Sequence, residues 1–198
     1  LATITGPDGN MLVFPGADDN ASGVAALILV ARALATTPER RCNFVFVAFD
    51  AEEIGFLGSF HYVDAPAEPL ERTAVLINID QVGYVRNNSL FMIGSLLNPT
   101  INLALARVHG SAKAGLRITP VPASNTQPWS DQAPFARAHL ATLFFYCGRT
   151  QYYHTPMDIA ERVNNIGGAQ VARLIFEVAR ALDLEYARAP ASKIGPRK

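Results

Sequence analysis

The sequence is poor in cysteine, has no surplus of either charge and contains no long apolar run. Its two cysteines, Cys42 and Cys147, are too few for a disulfide framework and lack the spacing of a zinc knuckle, so we expect free thiols. Lys and Arg together number 17, as do Asp and Glu, and no basic stripe is present, so we expect no nucleic-acid partner. Charged residues interrupt every apolar run before it reaches bilayer-spanning length, so we expect no membrane span.

The order of the apolar segments predicts an α/β fold. Residues 20–36 are apolar on nearly every face of a helix, which predicts a helix packed inside or between layers. The runs NFVFVAFD, residues 43–50, and TAVLINID, residues 73–80, are typical of parallel strands covered on both faces. Residues 54–63 between them have a helical pattern. The chain therefore begins with a β-α-β unit after an opening loop.

The alternation continues toward the C-terminus and predicts a three-layer α/β/α sandwich with a mixed, mostly parallel sheet. The segment that starts at residue 116 is predicted to be an edge strand, because Pro120 and Pro122 cannot donate to a neighbouring strand. We expect one domain over residues 1–188 and a tail at 189–198. The remaining predicted elements are strands at 89–94 and 139–148 and helices at 98–112, 130–138 and 166–186.

Acidic residues lie where several of these elements begin or end. Ligands of open α/β sheets gather outside the carboxyl ends of the strands. A carboxylate that ends a buried strand needs a partner, and no Lys or Arg except Arg86 lies within several residues of the strand-end acids. A cation from outside the chain is therefore favoured. The acids are Asp18 and Asp19 before the first helix, Glu52 and Glu53 after one strand, and Asp80 at the end of another.

His154, in the segment CGRTQYYHTPMD, is the best candidate for an imidazole ligand beside these acids. Two or three carboxylates with one imidazole suit zinc or a similar divalent ion. Simpler interpretations stay open for each residue taken alone. Asp19 or Asn20 would cap the first helix, the Glu pair would be the acidic first turn of a helix, and His154 would be a surface histidine. The other histidines, His61, His109 and His139, have no acidic neighbours at ligand spacing and are expected to be structural.

Five segments, in this order, resemble the co-catalytic zinc exopeptidases of the bacterial leucyl aminopeptidase type. They are PGADDNASGVAAL, FVAFDAEEIGFLGS, INID, SDQAPF and YYHTPMD, and the resemblance that they define extends over most of the chain. That family also includes glutamate carboxypeptidase and glutaminyl cyclase. The resemblance implies a zinc-dependent aminopeptidase that hydrolyses N-terminal residues, apolar ones by expectation, from peptides through a metal-bridging water.

The resemblance also implies a role for each matching residue. Asp19 would bridge two zinc ions, with Glu53 and His154 on one ion and Asp80 on the other. Glu52 matches the general base, which takes a proton from the bridging water and passes it to the leaving amine.

Further implied roles concern the surroundings of the ions. Asp18 would not be a ligand, and the peptide bond between Asp19 and Asn20 would be cis. Tyr153 resembles a donor to the tetrahedral oxyanion, with a packing tyrosine as the alternative. Asp131 and Asp158 resemble acids that orient the ligands.

Two positions depart from the family pattern. Gln132 stands where relatives often carry His after Ser-Asp, and no histidine precedes His61, although the family has a His-x-Asp motif upstream of the bridging acid. We therefore expect that the N-terminal strands of the domain are absent from these 198 residues. The complete domain would hold two zinc ions, and this chain would bind one or none and be inactive.

Other functions of the same fold stay open at this stage. A carboxypeptidase or glutaminyl-cyclase relative would share the metal ligands, and Arg86, Arg137 and Arg149 are the basic residues near the predicted site loops that could hold a terminal carboxylate. A non-catalytic binding domain is the third interpretation. A peptide substrate and a secreted or periplasmic location are expectations from the resemblance, and the oligomeric state is not predicted.

Overall fold

A computed structural model of the chain describes residues 2–94, 98–111, 115–122 and 130–188. Its strands are β1 Ala2–Thr5, β2 Met11–Phe14, β3 Leu76–Ile79, β4 Ser89–Ile93, β5 Arg117–Val121 and β6 Thr142–Tyr146. Its α-helices are α1 Gly23–Ala35, α2 Leu57–Asp64, α3 Pro99–Ser111, α4 Gln132–Arg137 and α5 Asn165–Tyr186. The tail predicted at 189–198 lies outside the described residues.

The main sheet is mixed and has the strand order β3-β6-β4-β5. β3 runs parallel to β6 and β4 runs parallel to β5, whereas β4 and β6 are antiparallel. Helices α1, α3 and α5 pack together, and α2 packs against α4. The predicted α/β fold with a mixed sheet is thus confirmed, and β5 is an edge strand as its prolines required.

Helix α5 supplies much of the core beside the sheet. The predicted apolar face of this helix is buried, with each of its five predicted side chains no more than 3% exposed. Burial of a large aliphatic side chain contributes roughly 1.5–3 kcal/mol relative to its exposure. The packing of α5 against α1 and α3 therefore fixes one helical layer. Those side chains are Val171, Leu174, Ile175, Val178 and Leu182.

The prediction of a paired strand at residues 43–50 is wrong. Residues 43–49 belong to no strand, and their backbone makes no hydrogen bond to another described residue. Val45 and Phe46 are 52% and 41% exposed, so the segment is not covered on both faces. A strand needs neighbours for its N–H and C=O groups, and β3 on the near side is paired only with β6 among the described strands. The apolar composition of the run identified a strand sequence but could not supply those partners.

Helix α1 is only partly packed, which corrects the expectation of burial on nearly all faces. Ala26, Val30 and Leu34 are buried against the core. Ile28 and Leu29 on the other side are 54% and 48% exposed. The sequence pattern showed that every face is apolar, but it could not show which of them has a neighbour.

The opening loop is a β-hairpin rather than an irregular segment. β1 and β2 pair in antiparallel register, with Ala2 opposite Phe14 and Thr5 opposite Met11. The turn between them contains Gly6, whose amide donates to the Asn10 carbonyl, and Gly9 at positive φ. Gly, Pro, Asp and Asn between two short apolar runs are the usual signal for such a turn, and that signal was present in the sequence.

Two further expectations can be compared with the described residues. Cys42 and Cys147 are both free thiols, as predicted. No helix in the described ranges combines the length and the apolarity that crossing a bilayer requires.

Candidate metal centre

The candidate site lies at the carboxyl ends of β3 and β6, where four separate chain segments meet. Asp19 belongs to an irregular turn, Ala17–Ser22, that leads into α1. Glu52 and Glu53 occupy a single 3-10 turn, Glu52–Ile54. Asp80 follows β3 directly, and His154 lies in the loop after β6. The fold therefore brings the predicted ligands Asp19, Glu53, Asp80 and His154 together with the predicted base Glu52.

His154 forms the centre of the closest cluster. Its Nε2 atom lies 3.1 Å from Oδ2 of Asp19 and 3.1 Å from both carboxylate oxygens of Glu53. The three residues each offer a ligand atom, and these atoms lie within 4.8 Å of one another. One ring nitrogen can donate at most one proton, so it cannot satisfy carboxylates from two residues by hydrogen bonding alone.

Asp80 lies deeper than this cluster and has one oxygen without a partner. The Ser130 hydroxyl donates to Oδ2 of Asp80 at 2.7 Å. Oδ1 of Asp80 is buried and has no hydrogen-bond partner among the described residues. A buried carboxylate oxygen left in this way costs free energy unless a cation or another donor reaches it.

The electrostatics of the site reflect a concentration of acids without enough cations. Burial raises the pKa of Asp19 to about 6, and repulsion from Glu53 adds to the rise. Burial likewise raises the pKa of Asp80 to about 7, against the lowering effect of the Ser130 hydrogen bond. Burial and the charge of Asp80 raise the pKa of Glu52 to about 8. A divalent cation would relieve this repulsion and favour the charged carboxylates.

Asp158 fixes the backbone that carries Asp19. Its Oδ1 accepts from the backbone N–H of Asp18 at 2.9 Å, and its Oδ2 accepts from that of Asp19 at 3.0 Å. The Asp18 side chain is turned away and accepts from the Gly83 amide at 2.8 Å. Asp18 is therefore a buried residue that links two loops through hydrogen bonds, and it is not a member of the cluster around His154. The peptide bond between Asp19 and Asn20 is cis, as the resemblance implied.

Asn20 caps α1, which was one of the simple interpretations of this stretch. Its Oδ1 accepts from the Gly23 amide at 3.0 Å and from the Gln81 amide at 3.2 Å, and its Nδ2 donates to the Ile79 carbonyl at 2.9 Å. A β-carbon at Gly23 would collide with that carbonyl and with Oδ1 of Asn20. Glycine at this position thus lets the helix start directly against the end of β3, which positions both Asp19 and Asp80.

Three non-glycine residues at the site have positive φ angles. His154 has φ 55°, Ala51 immediately before Glu52 has φ 55°, and Gln81 immediately after Asp80 has φ 52°. Residues held in this region cost free energy and persist where surrounding contacts require them. The backbone is therefore locally strained at or beside three of the candidate ligands or catalytic groups.

A cleft of about 330 Å³ opens beside the acids. The Tyr153 ring stacks on the His154 imidazole with 3.7 Å between centroids, and the Arg149 guanidinium lies 4.7 Å from the Tyr153 centroid. Among the three arginines expected near the site, Arg149 is the one that lines this cleft. The cleft is lined by Asp19, Glu52, Asp80, Gln81, Phe144, Tyr146, Arg149 and Tyr153.

The second predicted orienting acid, Asp131, contacts no candidate ligand directly within the described ranges. Its carboxylate is buried, and Oδ1 has no partner among the described residues. The Gln132 side-chain oxygen accepts from the Asn78 side-chain amide at 2.9 Å, and Asn78 lies on β3 two residues before Asp80. Sequence reasoning missed the contact of Ser130 with Asp80 and the bridging role of Asn20. Neither has a sequence signal beyond the nearness of Ser130 and Asn20 to predicted site residues.

The donor set fits a zinc-type metal centre. One imidazole nitrogen and carboxylate oxygens from two residues converge, and a further buried carboxylate oxygen stands unpartnered nearby. This mixture of nitrogen and oxygen atoms suits Zn²⁺ better than the all-oxygen shells typical of Mg²⁺ or Ca²⁺. The fold and the site together define an α/β protein with a candidate catalytic zinc centre.

Comparison with known proteins identifies the family. Residues 4–179 match the model of peptidase family M28, and the chain belongs to that family. Aminopeptidase YwaD of Bacillus subtilis is 34% identical over 158 residues, which are 76% of this chain and 34% of that protein. The crystal structure of BSAP, a zinc aminopeptidase from Bacillus subtilis, superposes with a TM-score of 0.73 at 28% identity. That match covers 92% of this chain and 45% of the BSAP chain.

A more distant structure shows the same fold. The aminopeptidase LapA of Legionella pneumophila superposes with a TM-score of 0.66 at 18% identity, over 89% of this chain and 48% of the LapA chain. The chain thus spans about a third of its curated relative and less than half of these solved structures.

Proposed function

We propose that this chain carries the zinc-binding and proton-transfer residues of an aminopeptidase that removes N-terminal residues from peptides. The main observation behind this proposal is that His154 Nε2 lies beside carboxylate oxygens of both Asp19 and Glu53. In addition, Glu52 lies in the adjoining cleft, and its pKa is raised to about 8. Membership of family M28 supports the proposal, as do relatives described as aminopeptidases and as a zinc aminopeptidase.

Asp19, Glu53 and His154 would hold one zinc ion, and Asp19 with Asp80 would contribute to a second. Zinc bound there would supply Lewis-acid polarisation of the scissile carbonyl and of the attacking water. Among the described residues only the first group offers three ligand atoms close together, so we expect this chain to bind one ion more strongly than a second.

Glu52 would act as the proton carrier. It lies beside Asp80 in the cleft and is only half-buried, so a substrate and water can reach it. A carboxylate in this position would take a proton from the attacking water and deliver it to the departing amine. Tyr153, packed between Arg149 and His154, would donate a hydrogen bond to the developing oxyanion.

Tyr146 would receive the first side chain of the substrate, with the buried ring of Phe144 packed behind it. Their rings stack with 5.5 Å between centroids on the wall of the cleft that also holds Glu52 and Asp80. An apolar or aromatic side chain packs on such a surface, whereas a charged one would lose its hydration there. We therefore expect a preference for large apolar N-terminal residues.

Zinc binding tests the metal part of this proposal on the chain itself. Zinc affinity is measured by competition with a chromophoric chelator for the unchanged chain, His154→Ala and His61→Ala. His61 is an exposed histidine on α2 and is the matched control. We expect His154→Ala to weaken binding by at least about 100-fold and His61→Ala to leave it unchanged. Equal affinities for the three proteins would refute the ligand assignment.

Substrate hydrolysis tests the reaction class separately. The chain and a longer version of the polypeptide are assayed with zinc against leucine p-nitroanilide and its N-acetylated counterpart. Cleavage of the free amine alone supports an aminopeptidase. Cleavage of peptides only from a free carboxyl end would indicate a carboxypeptidase, with Arg149 as the residue in the cleft able to bind that group. Zinc binding without any cleavage in the longer version would favour a binding domain.

A further inference from the structure

Arg149 lines the cleft beside the candidate metal centre and forms no ion pair with another described residue. Three carboxylates line the same cleft, those of Asp19, Glu52 and Asp80. The guanidinium of Arg149 lies instead over the Tyr153 ring, 4.7 Å from its centroid. An aromatic face attracts a cation but does not neutralise its charge. The guanidinium can therefore still pair with an anionic group of a ligand in this cleft.

The backbone after β6 determines where Arg149 lies. The Cys147 amide donates to the Gln81 carbonyl at 3.1 Å, which holds the end of β6 against the loop after β3. Gly148 has φ 95°, a conformation that favours glycine, and there the chain leaves the sheet directly before Arg149. The hydroxyl of Thr150 accepts from the backbone amide two residues later at 3.0 Å. Arg149 is thus held between the end of a strand and a hydrogen-bonded turn.

Short contacts connect Arg149 to the candidate metal centre. The Tyr153 ring, which the guanidinium contacts, stacks on the His154 imidazole with 3.7 Å between centroids. The imidazole in turn lies 3.1 Å from carboxylate oxygens of Asp19 and Glu53. One residue of extended peptide spans roughly 3.5 Å, and a guanidinium binds a carboxylate at roughly 2.8 Å. A peptide group at the metal centre is therefore about one residue away from a carboxylate that Arg149 can bind.

The charges of the cleft suit a small zwitterion. Its acids attract the free amine of a peptide, and Arg149 attracts a carboxylate. A dipeptide has both groups, because its α-carboxylate lies one residue after the scissile bond. A longer peptide has an uncharged peptide group at that position. Charge-assisted bonds to a guanidinium are roughly twice as strong as neutral hydrogen bonds, so Arg149 would discriminate between the two.

We propose that Arg149 is a specificity-determining residue that binds a carboxylate of the substrate. This inference rests on the proposed aminopeptidase function and names its substrate class. Two substrate groups offer this chemistry: the α-carboxylate of a dipeptide, and the side chain of an N-terminal Asp or Glu. The ring of Tyr146 on the same cleft favours the dipeptide, because it offers an apolar surface to the first side chain.

Binding of uncleavable dipeptide analogues to the zinc-supplied chain of residues 1–198 tests this assignment without turnover. The probes are ketomethylene analogues of Leu-Gly, one with a free carboxylate and one with a carboxamide, and NMR titration gives their dissociation constants. We expect the carboxylate probe to bind about 10- to 100-fold more tightly. Arg149→Met keeps the length of the side chain but removes its charge, so it should abolish this difference.

Arg137→Met is the matched control. The Arg137 guanidinium also lies over an aromatic ring, 5.4 Å from the Phe60 centroid, but Arg137 does not line the cleft. This variant should keep the full difference between the two probes. Equal binding of both Leu-Gly probes and of carboxamide probes with Glu or Gln in place of Leu would overturn the proposal. A carboxylate preference that persists in Arg149→Met would also overturn it.

The Glu and Gln probes also distinguish the two sources of the carboxylate. A preference for Glu over Gln that Arg149→Met removes, without a preference between the Leu-Gly probes, would assign Arg149 to an acidic N-terminal side chain. Leucine p-nitroanilide has no carboxylate, so its hydrolysis reports the reaction class alone. Its cleavage by a protein without any carboxylate preference would keep the proposed function and overturn the role of Arg149. A carboxylate preference without cleavage would refute the reaction class and keep the carboxylate site.

Discussion

The hydroxyl of Ser130 donates a 2.7 Å hydrogen bond to Oδ2 of Asp80 and leaves Oδ1 of the same carboxylate without a partner among the described residues. Ser130 is 1% exposed and Asp80 is 5% exposed, so water has little access to this pair. One oxygen is thus held in place while the other is available to a ligand. This division of the carboxylate suits a residue that must present a single oxygen to a cation.

Substitution of Ser130 should therefore change the titration of Asp80. The hydrogen bond from Ser130 lowers the pKa of Asp80, against the larger effect of burial. Ser130→Ala should raise the pKa of Asp80 above its value of about 7, as measured by the carboxyl carbon shift in the metal-free chain. Thr37→Ala is the control, because the Thr37 hydroxyl donates to the Ala33 carbonyl near the end of α1 and contacts no acid of the site. An unchanged Asp80 titration in Ser130→Ala would contradict the assignment.

Asp158→Asn should destabilise the chain through the turn that carries Asp19. The Asp158 carboxylate is 6% exposed and accepts from two backbone N–H groups. An amide has one acceptor oxygen, so one N–H would face an NH₂ group. We expect a loss of about 1.5–3 kcal/mol in the free energy of unfolding, measured by urea denaturation in chelator.

Asp8→Asn is the matched control for Asp158→Asn. Asp8 also accepts from a backbone amide, that of Asn10, but in an exposed turn. Its replacement should change the free energy of unfolding little. If the two variants lost equal stability, burial of the Asp158 contact would not be the cause.

The metal-free chain should become less stable as pH rises from about 4 to about 8. The pKa values of Asp19, Asp80 and Glu52 in the folded chain are about 6, about 7 and about 8, above the ordinary values of 3.8 for Asp and 4.5 for Glu. In this window the folded state keeps protons that the unfolded state has released. The free energy of unfolding therefore falls with rising pH until the folded pKa values have been passed.

Urea midpoints in chelator at pH 5 and pH 8 measure this effect. Asp80→Asn removes one of the three groups, so its midpoint should depend less on pH than that of the unchanged chain. Added zinc should stabilise more at pH 8 than at pH 5, because it binds the deprotonated carboxylates. A pH dependence as steep in Asp80→Asn as in the unchanged chain would count against the raised pKa of Asp80.

Glu52→Gln should abolish most turnover while sparing zinc binding. Glutamine keeps the size of the side chain but cannot carry a proton, and general acid–base catalysis contributes typically 10²–10⁴-fold. In whichever version of the polypeptide hydrolyses the substrate, we expect kcat to fall by about 10²–10⁴-fold. The zinc affinity, measured by chelator competition, should stay unchanged. The exposed Glu161→Gln should lower neither. Retained turnover in Glu52→Gln would assign proton transfer to another residue.

The sequence predicted the convergence of the candidate site residues better than the strand arrangement, for a physical reason. Asp19, Glu53, Asp80 and His154 follow apolar strands or precede an apolar helix, and such positions converge at one edge of an α/β sheet whatever the exact pairing. Residues 43–50 have the composition of a central strand, but pairing is a property of neighbours and not of the segment. Composition therefore identified the strand sequence and could not show that its partner is missing among the described residues.

Contacts between side chains and distant backbone were equally outside the reach of sequence patterns. Asn20 has the residue type of a helix cap, which local chemistry predicts, and it does cap α1. Its bonds to Ile79 and Gln81 depend on how close α1 lies to β3, which the glycine at 23 allows. The exposed face of α1 was missed for the same reason, since hydrophobic periodicity does not specify what packs against each face.

The two hydrogen bonds that the Asp158 carboxylate accepts from the Asp18 and Asp19 amides also bear on when the site forms during synthesis. Asp158 lies 140 residues after Asp18, and His154 lies 101 residues after Glu53. Asp18 and Asp19 leave the ribosome long before His154 and Asp158, the residues that position them. A nascent chain that ends before this loop therefore has scattered carboxylates and no assembled centre, and contacts so distant in sequence form late and slowly. Zinc capture would then report that the C-terminal part of the domain has been made and has docked.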